Sequence, residues 1–188
     1  VEGGMGFGKH PHNNMEIVSI PLSGALEHKD SMGHIEVIKE GEVQIMSSGT
    51  GVLHSEYNHS KTDEVNFLQI WVLPKERNIK PRYEQKNINN ADAKNKFLTI
   101  VSPDEKDDNA VWINQDAYFS ITRSDAGTEI SYDIKQKGNG VYIFVIEGDV
   151  TIDGNNLGRR DGIGIEEAEK VRIKSNSDSS LLAIEIPM

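Results

Sequence analysis

Apolar positions along this chain fall in short alternating runs bounded by Gly, Asn, Asp and Ser. Residues 16–22 (EIVSIPL) form one such run. Residues 66–73 (NFLQIWVL) form another, mostly apolar from Phe67 onward as in a buried strand. Ile130, Tyr132 and Ile134 alternate with polar neighbours, residues 141–146 (VYIFVI) are a continuous apolar run of strand length, and residues 181–186 (LLAIEI) follow near the end. On a strand, successive side chains point to opposite faces, so a period of two buries one face. Sustained helical periodicity is missing, and only residues 166–170 and 90–96 offer a helical turn or two. Many short strands separated by turn residues predict an all-β chain, a barrel or a sandwich.

The pattern repeats weakly. The first copy contains Ile20-Pro-Leu-Ser-Gly24-Ala-Leu26 and the second Val145-Ile-Glu-Gly148-Asp-Val150, each a strand, a Gly turn and a return strand. A second turn follows in each, Gly41-Glu42-Val43 and Asp161-Gly162-Ile163, and each copy ends in an apolar strand, LQIWVL or LLAIEI. Between them lies a polar stretch rich in Lys, Asn and Asp. The expected organisation is therefore a first barrel over residues 1–85, a linker over 86–96 and a second barrel over 97–188.

Charge and composition narrow the partners. Thirty acidic residues against twenty basic ones give a formal net charge of −10, which repels a phosphate backbone and argues against direct nucleic-acid binding. No apolar run approaches the roughly 20 residues of a spanning helix. Cysteine is absent, so neither disulfides nor thiolate chemistry can operate. The expectation is a cytoplasmic protein, a monomer, without membrane contact. The chain starts at Val1 and runs at once into a glycine-rich stretch, as a processed fragment or a sequence lacking its native N-terminus would.

All six histidines, His10, His12, His28, His34, His54 and His59, lie in the first 59 residues. His10-Pro11-His12 places two imidazoles on one face of a strand, and His54-Ser55-Glu56 places an imidazole and a carboxylate at the same spacing. Two adjacent strands would then supply four ligands to one divalent ion, and this donor mixture suits Fe, Mn, Ni, Cu or Zn. An isolated HxH is usually a pair of surface histidines; the glycines ahead of each motif, Gly6, Gly8, Gly49 and Gly51, favour a site by letting the backbone turn sharply beside it. His28 and His34 flank the turn at residues 30–33 and read as solvent-contacting turn residues; His59 reads as exposed. Trp71 and Phe67 read as core. No Walker-type loop and no nucleophile elbow is present.

Gly6, His10, His12, Glu16 and Gly24, then Gly41, Gly51, His54 and Asn58, resemble the two cupin motifs. Closer still, GFGKHPHNNMEIVS, LSGALEHKDSMGH, GEVQIMSSGTGVLHSE and LQIWVLP resemble segments of the pirin family in the right order, densely over residues 3–86 and more thinly afterwards. The resemblance implies a bicupin, two antiparallel β-barrels packed together. It implies His10, His12, His54 and Glu56 as metal ligands; Glu56 is preferred to Glu16, which a general cupin would use, because the whole HSE triplet matches and Glu56 shares a face with His54. Met46 and Phe7 would line the cavity by analogy. Family members carry several dozen residues before this point, so strands of the first barrel are expected to be missing from this chain, or cleaved and still associated. Counting back from Gly148 as from Gly24 puts Gln136 and Ile134 where the first copy has His12 and His10, which leaves the second barrel without metal.

Several bacterial members are similar to quercetin 2,3-dioxygenase. The implied activity is a metal-dependent dioxygenase, with Fe(II) as the first choice of cofactor, Glu56 as the catalytic base, and a flavonol and O2 as partners. The alternative is a regulatory or redox-sensing protein that uses the same metal to bind protein partners.

Overall fold

A computed structural model describes residues 1–188, the side chain of Asn90 lying outside the described residues. The regular secondary structure is almost entirely strand. In order these are β1 (Gly6–His12), β2 (Glu16–Ser23), β3 (Ala25–Asp30), β4 (Ile35–Lys39), β5 (Glu42–Ser47) and β6 (Val52–Asn58). Then come β7 (Asn66–Val72), β8 (Arg82–Asn87), β9 (Leu98–Ser102), β10 (Val111–Trp112), β11 (Tyr118–Ser124) and β12 (Glu129–Asp133). The last are β13 (Asn139–Glu147), β14 (Val150–Ile152), β15 (Asn155–Leu157), β16 (Gly162–Ile165), β17 (Lys170–Ser175) and β18 (Ser179–Pro187). The helical turn expected within 90–96 is a single 3₁₀ turn, Asn90–Ala93, started by the Asn89 side chain, which accepts from the Ala91 N–H. The turn expected at 166–170 does not form: these residues connect β16 to β17, and Glu167 sits at φ 56°, which a right-handed turn cannot accommodate. Among the described residues no helix is long and apolar enough to cross a membrane.

Two compact units emerge, Val1–Ile88 with Asp104–Gln115, and Asn89–Pro103 with Asp116–Met188. The first contains two antiparallel sheets, ordered β1-β6-β3-β4 and β7-β2-β5-β8. Its second segment is tied in by β8 and β2. Lys86 Nζ donates to the carbonyls of Asp107 (3.0 Å) and Ala110 (2.6 Å). Arg82 lies 4.5 Å above the Trp112 ring and donates to the Trp112 carbonyl at 3.0 Å. The buried Glu16 carboxylate accepts from Ser47 Oγ (2.7 Å) and from the Asn114 N–H (3.3 Å).

The second unit repeats the plan, with one sheet ordered β12-β17-β14-β15 and another in which β9, β11, β18, β13 and β16 lie side by side. The glycines that close the first hairpin of each copy, Gly24 and Gly148, both adopt left-handed φ, 76° and 93°, which a side chain would resist. One apolar cluster in the second unit gathers eleven buried residues, including Tyr132, Ile143, Ile152, Val171 and Ile173. Small clusters of the first unit include Ile17-Met46-Val52 and Leu26-Ile38-Val65.

Strand register corrects the alignment of the two copies. Tyr132 faces Val171 on β17 as His10 faces His54 on β6, so the position matching His10 is Tyr132, not Ile134. The count from glycine misses this because three residues, 13–15, join β1 to β2, whereas five, 134–138, join β12 to β13.

Candidate metal centre

Three neighbouring strands, β1, β6 and β3, carry the donor side chains. Along β6 the even positions Val52, His54, Glu56 and Asn58 are buried while Leu53 and Tyr57 are exposed, the period of two placing His54 and Glu56 on one inward face. Strand β1 is brought into phase by a bulge: Phe7 is opposite Glu56 and His10 opposite His54, three steps along β1 against two along β6. The extra residue, at Gly8–Lys9, turns both His10 and His12 toward His54, a common use of bulges beside sites. The His10 and His12 rings each stand within 4.9 Å of the His54 ring, centroid to centroid.

His10 Nδ1 donates to the Gly8 carbonyl at 2.7 Å, which fixes the tautomer and leaves Nε2 as the free lone pair. That nitrogen lies 3.0 Å from His54 Nε2. Two adjacent donors around an ion with bonds of about 2.1 Å would stand about 3 Å apart. Two groups of donors form, His10-His12-His54 and His28-His54-Glu56, each with its ligand atoms within 4.8 Å of one another. The four residues singled out in the sequence are thus divided between overlapping groups that share His54.

Electrostatics favour the metal-binding state of two imidazoles and work against that of the carboxylate. Burial, and then the neighbouring imidazoles of His28, His10 and His12, lower the His54 pKa to about 3, so the ring is neutral at pH 7. His12 is lowered by burial and by His10. Burial raises the Glu56 carboxyl above its ordinary range, against the lowering effect of Gln69. Gln69 Nε2 donates to both Glu56 oxygens, at 3.0 and 2.8 Å, and so orients the carboxylate. The buried His54 Nδ1 has no hydrogen-bond partner. Imidazoles at His12 and His54 that burial keeps from protonating, an orphaned nitrogen and a held carboxylate fit a divalent transition metal.

Other expectations change. His28 is not a solvent-contacting turn residue but fully buried, because β3 lies beside β6 and His28 faces Glu56. Trp71 is not core: it is 55% exposed and stands edge-on to His12 at 5.0 Å, since Gln69 and Trp71 share the face of β7 turned to the site. Phe7 is exposed and Met46 is wholly buried against Ile17 and Val52. His34 is partly exposed and pairs with Asp30, and His59 is exposed beside Glu27. Gln69 was missed; an isolated amide within an apolar strand was the available signal.

Comparison with known proteins gives a consistent set of relatives. The Pirin family model matches residues 1–72, and a model described as the quercetinase C-terminal cupin domain matches residues 99–186. Quercetin 2,3-dioxygenase of Escherichia coli is 38% identical over 187 residues, covering all of this chain and 79% of that protein. A pirin-like protein of Caulobacter vibrioides is 32% identical over 180 residues, 96% of this chain and 77% of that one. The crystal structure of the E. coli bacterial pirin YhhW in complex with nickel(II) superposes with a TM-score of 0.91 at 38% identity, over all of this chain and 79% of that one.

Proposed function

The chain belongs to the pirin family, and from that premise we propose that it is a metal-dependent dioxygenase cleaving a quercetin-like flavonol with O2. The observation that carries the reading is the facing pair His10 Nε2 and His54 Nε2, 3.0 Å apart, with His12 and Glu56 on the same wall. His10, His12, His54 and Glu56 would hold the ion. A relative named quercetin 2,3-dioxygenase at full coverage supports the substrate class. Fe(II) is our first choice of metal; Ni, Cu, Mn and Zn suit the same donors, and nickel is the metal of the YhhW complex.

A bound divalent ion would supply Lewis acidity toward the substrate oxygens and an electronic link between substrate and O2. The protein residues do the rest. Glu56 accepts the proton of the flavonol 3-hydroxyl at a carboxylate oxygen. Burial raises its pKa and makes it a stronger base than a solvated carboxylate, and Gln69 holds it in place. His10 is kept in its metal-facing tautomer by the Gly8 carbonyl. Trp71, exposed beside His12, offers an aromatic face to a flat substrate. The overall reaction takes flavonol and O2 to a depside and carbon monoxide.

The test pairs two measurements on one untagged sample: metal content per chain, and oxygen uptake with quercetin after loading with Fe(II), Ni(II), Cu(II), Mn(II) or Zn(II). One ion per chain with uptake is expected. Stoichiometric metal without uptake under any loading would refute the enzyme and leave a metal-dependent regulatory protein. Absence of stoichiometric binding would remove the metal centre itself.

A further inference from the structure

We propose that His28 is a further ligand of the metal centre, binding through Nδ1. The inference rests on the reading that the site holds a metal. Strand β3 runs antiparallel beside β6, with His28 opposite Glu56 and Asp30 opposite His54. His28 therefore enters the same wall as the expected ligands, one strand further in, and offers a donor within 4.8 Å of donors on His54 and Glu56. No part of it is exposed.

Its tautomer follows from its partner. Asp30 Oδ1 accepts from the backbone N–H groups of Met32 (2.8 Å) and His34 (3.1 Å). Asp30 Oδ2 accepts from His34 Nδ1 (2.8 Å) and stands 3.2 Å from His28 Nε2. A carboxylate surrounded by donors is an acceptor, so His28 Nε2 carries the hydrogen and Nδ1 the lone pair. That Nδ1 is buried without any partner, a state that disfavours folding unless something fills the valence. A carboxylate behind one imidazole nitrogen and an electron-pair acceptor in front of the other is how metal-bound histidines are held. The Tyr83 ring, 4.9 Å from both the His28 and His34 rings, lies against this pair.

The first experiment uses the intact wild-type chain, labelled with ¹⁵N-histidine and titrated with Zn(II). Long-range ¹H–¹⁵N spectra distinguish the two ring nitrogens and reveal which is metal-bound. His28 Nδ1 is expected to move to the coordinated position together with one ring nitrogen of His54. If His10, His12 and His54 respond while His28 does not, the proposal is wrong and the four-ligand centre stands. If no histidine responds, both this proposal and the metal reading fail. The second experiment measures Ni(II) affinity by competition with a coloured chelator, with circular dichroism to check the fold. His28→Gln is expected to weaken binding by at least about tenfold, whereas His34→Gln, which removes the other imidazole on Asp30, should change it by less than about twofold. Equal affinity in wild type and His28→Gln would overturn the assignment.

Discussion

In the first unit β6 runs between β1 and β3; in the second, β17 runs between β12 and β14. Leu26 and Val150 both stand two residues beyond the hairpin glycine, opposite Asn58 and Ser175. One step inward, His28 facing Glu56 becomes Ile152 facing Ile173, and His10 facing His54 becomes Tyr132 facing Val171. Every donor position that this register aligns is thus an aliphatic or aromatic residue in the second copy, and all four belong to one apolar cluster. The strand plan requires no metal; the same wall can be closed by hydrocarbon or lined with ligands. Hydrocarbon stabilises that wall through burial, roughly 1.5–3 kcal/mol for each large side chain. Imidazoles in the same places leave two buried nitrogens, His28 Nδ1 and His54 Nδ1, without partners, a cost that the apolar wall does not carry.

The contrast can be broken by mutation. The largest expected effect is that of His54→Ala, which removes the donor shared by both groups: bound metal falls from one ion per chain to none, and turnover is abolished. Normal turnover by this variant would end the dioxygenase reading. Glu56→Gln keeps the shape of the wall and some metal, and should slow turnover by about 10²-fold or more if Glu56 is the base, as read from oxygen uptake at matched metal content. The corresponding change in the second unit, Ile173→Ala, should leave metal content alone and lower stability by about 2–5 kcal/mol in denaturant unfolding; loss of metal with unchanged stability would reverse the roles assigned to the two walls.

A smaller effect sharpens the comparison through pH. The folded His54 pKa, about 3, lies below the ordinary 6.5. Between those values the unfolded chain binds the extra proton, so this group's contribution is present above about pH 6.5 and is lost as pH falls toward 3. His12 acts with the same sign, and the raised Glu56 acts oppositely. The informative quantity is therefore a difference. Metal-free wild type should lose more stability between pH 7 and pH 5 than metal-free His54→Gln, and equal losses would contradict the buried, neutral imidazole. The smallest expected change is that of Trp71→Ala. Loss of an aromatic contact, about 0.5–1.5 kcal/mol, should raise KM for quercetin several-fold with kcat nearly unchanged.

Local pattern carried much of this site. HPH and HSE each put two donors on one strand face whatever the surroundings, because side chains alternate at every residue. The same alternation announced an all-β chain. His28 was not legible, since EHKDSMGH is polar throughout and resembles any exposed turn; its burial is imposed by β6 alongside. Trp71 misled for the converse reason: an apolar run shows that a strand can be buried, but which face is covered depends on what packs there. Nothing in the polar residues 104–115 announces that they pack with the first unit, because their partners Arg82, Glu84 and Lys86 lie on β8, some twenty to thirty positions earlier.

What the amino-acid order determined by itself was strand content, the hairpin glycines and two pairs of donors, all set by neighbours within a few residues. The tertiary structure alone decided that the two pairs meet, that a bulge turns the first toward the second, and that His28 and Gln69 join them. Those outcomes depend on the register between strands distant in sequence, where a shift of one residue turns every side chain to the opposite face.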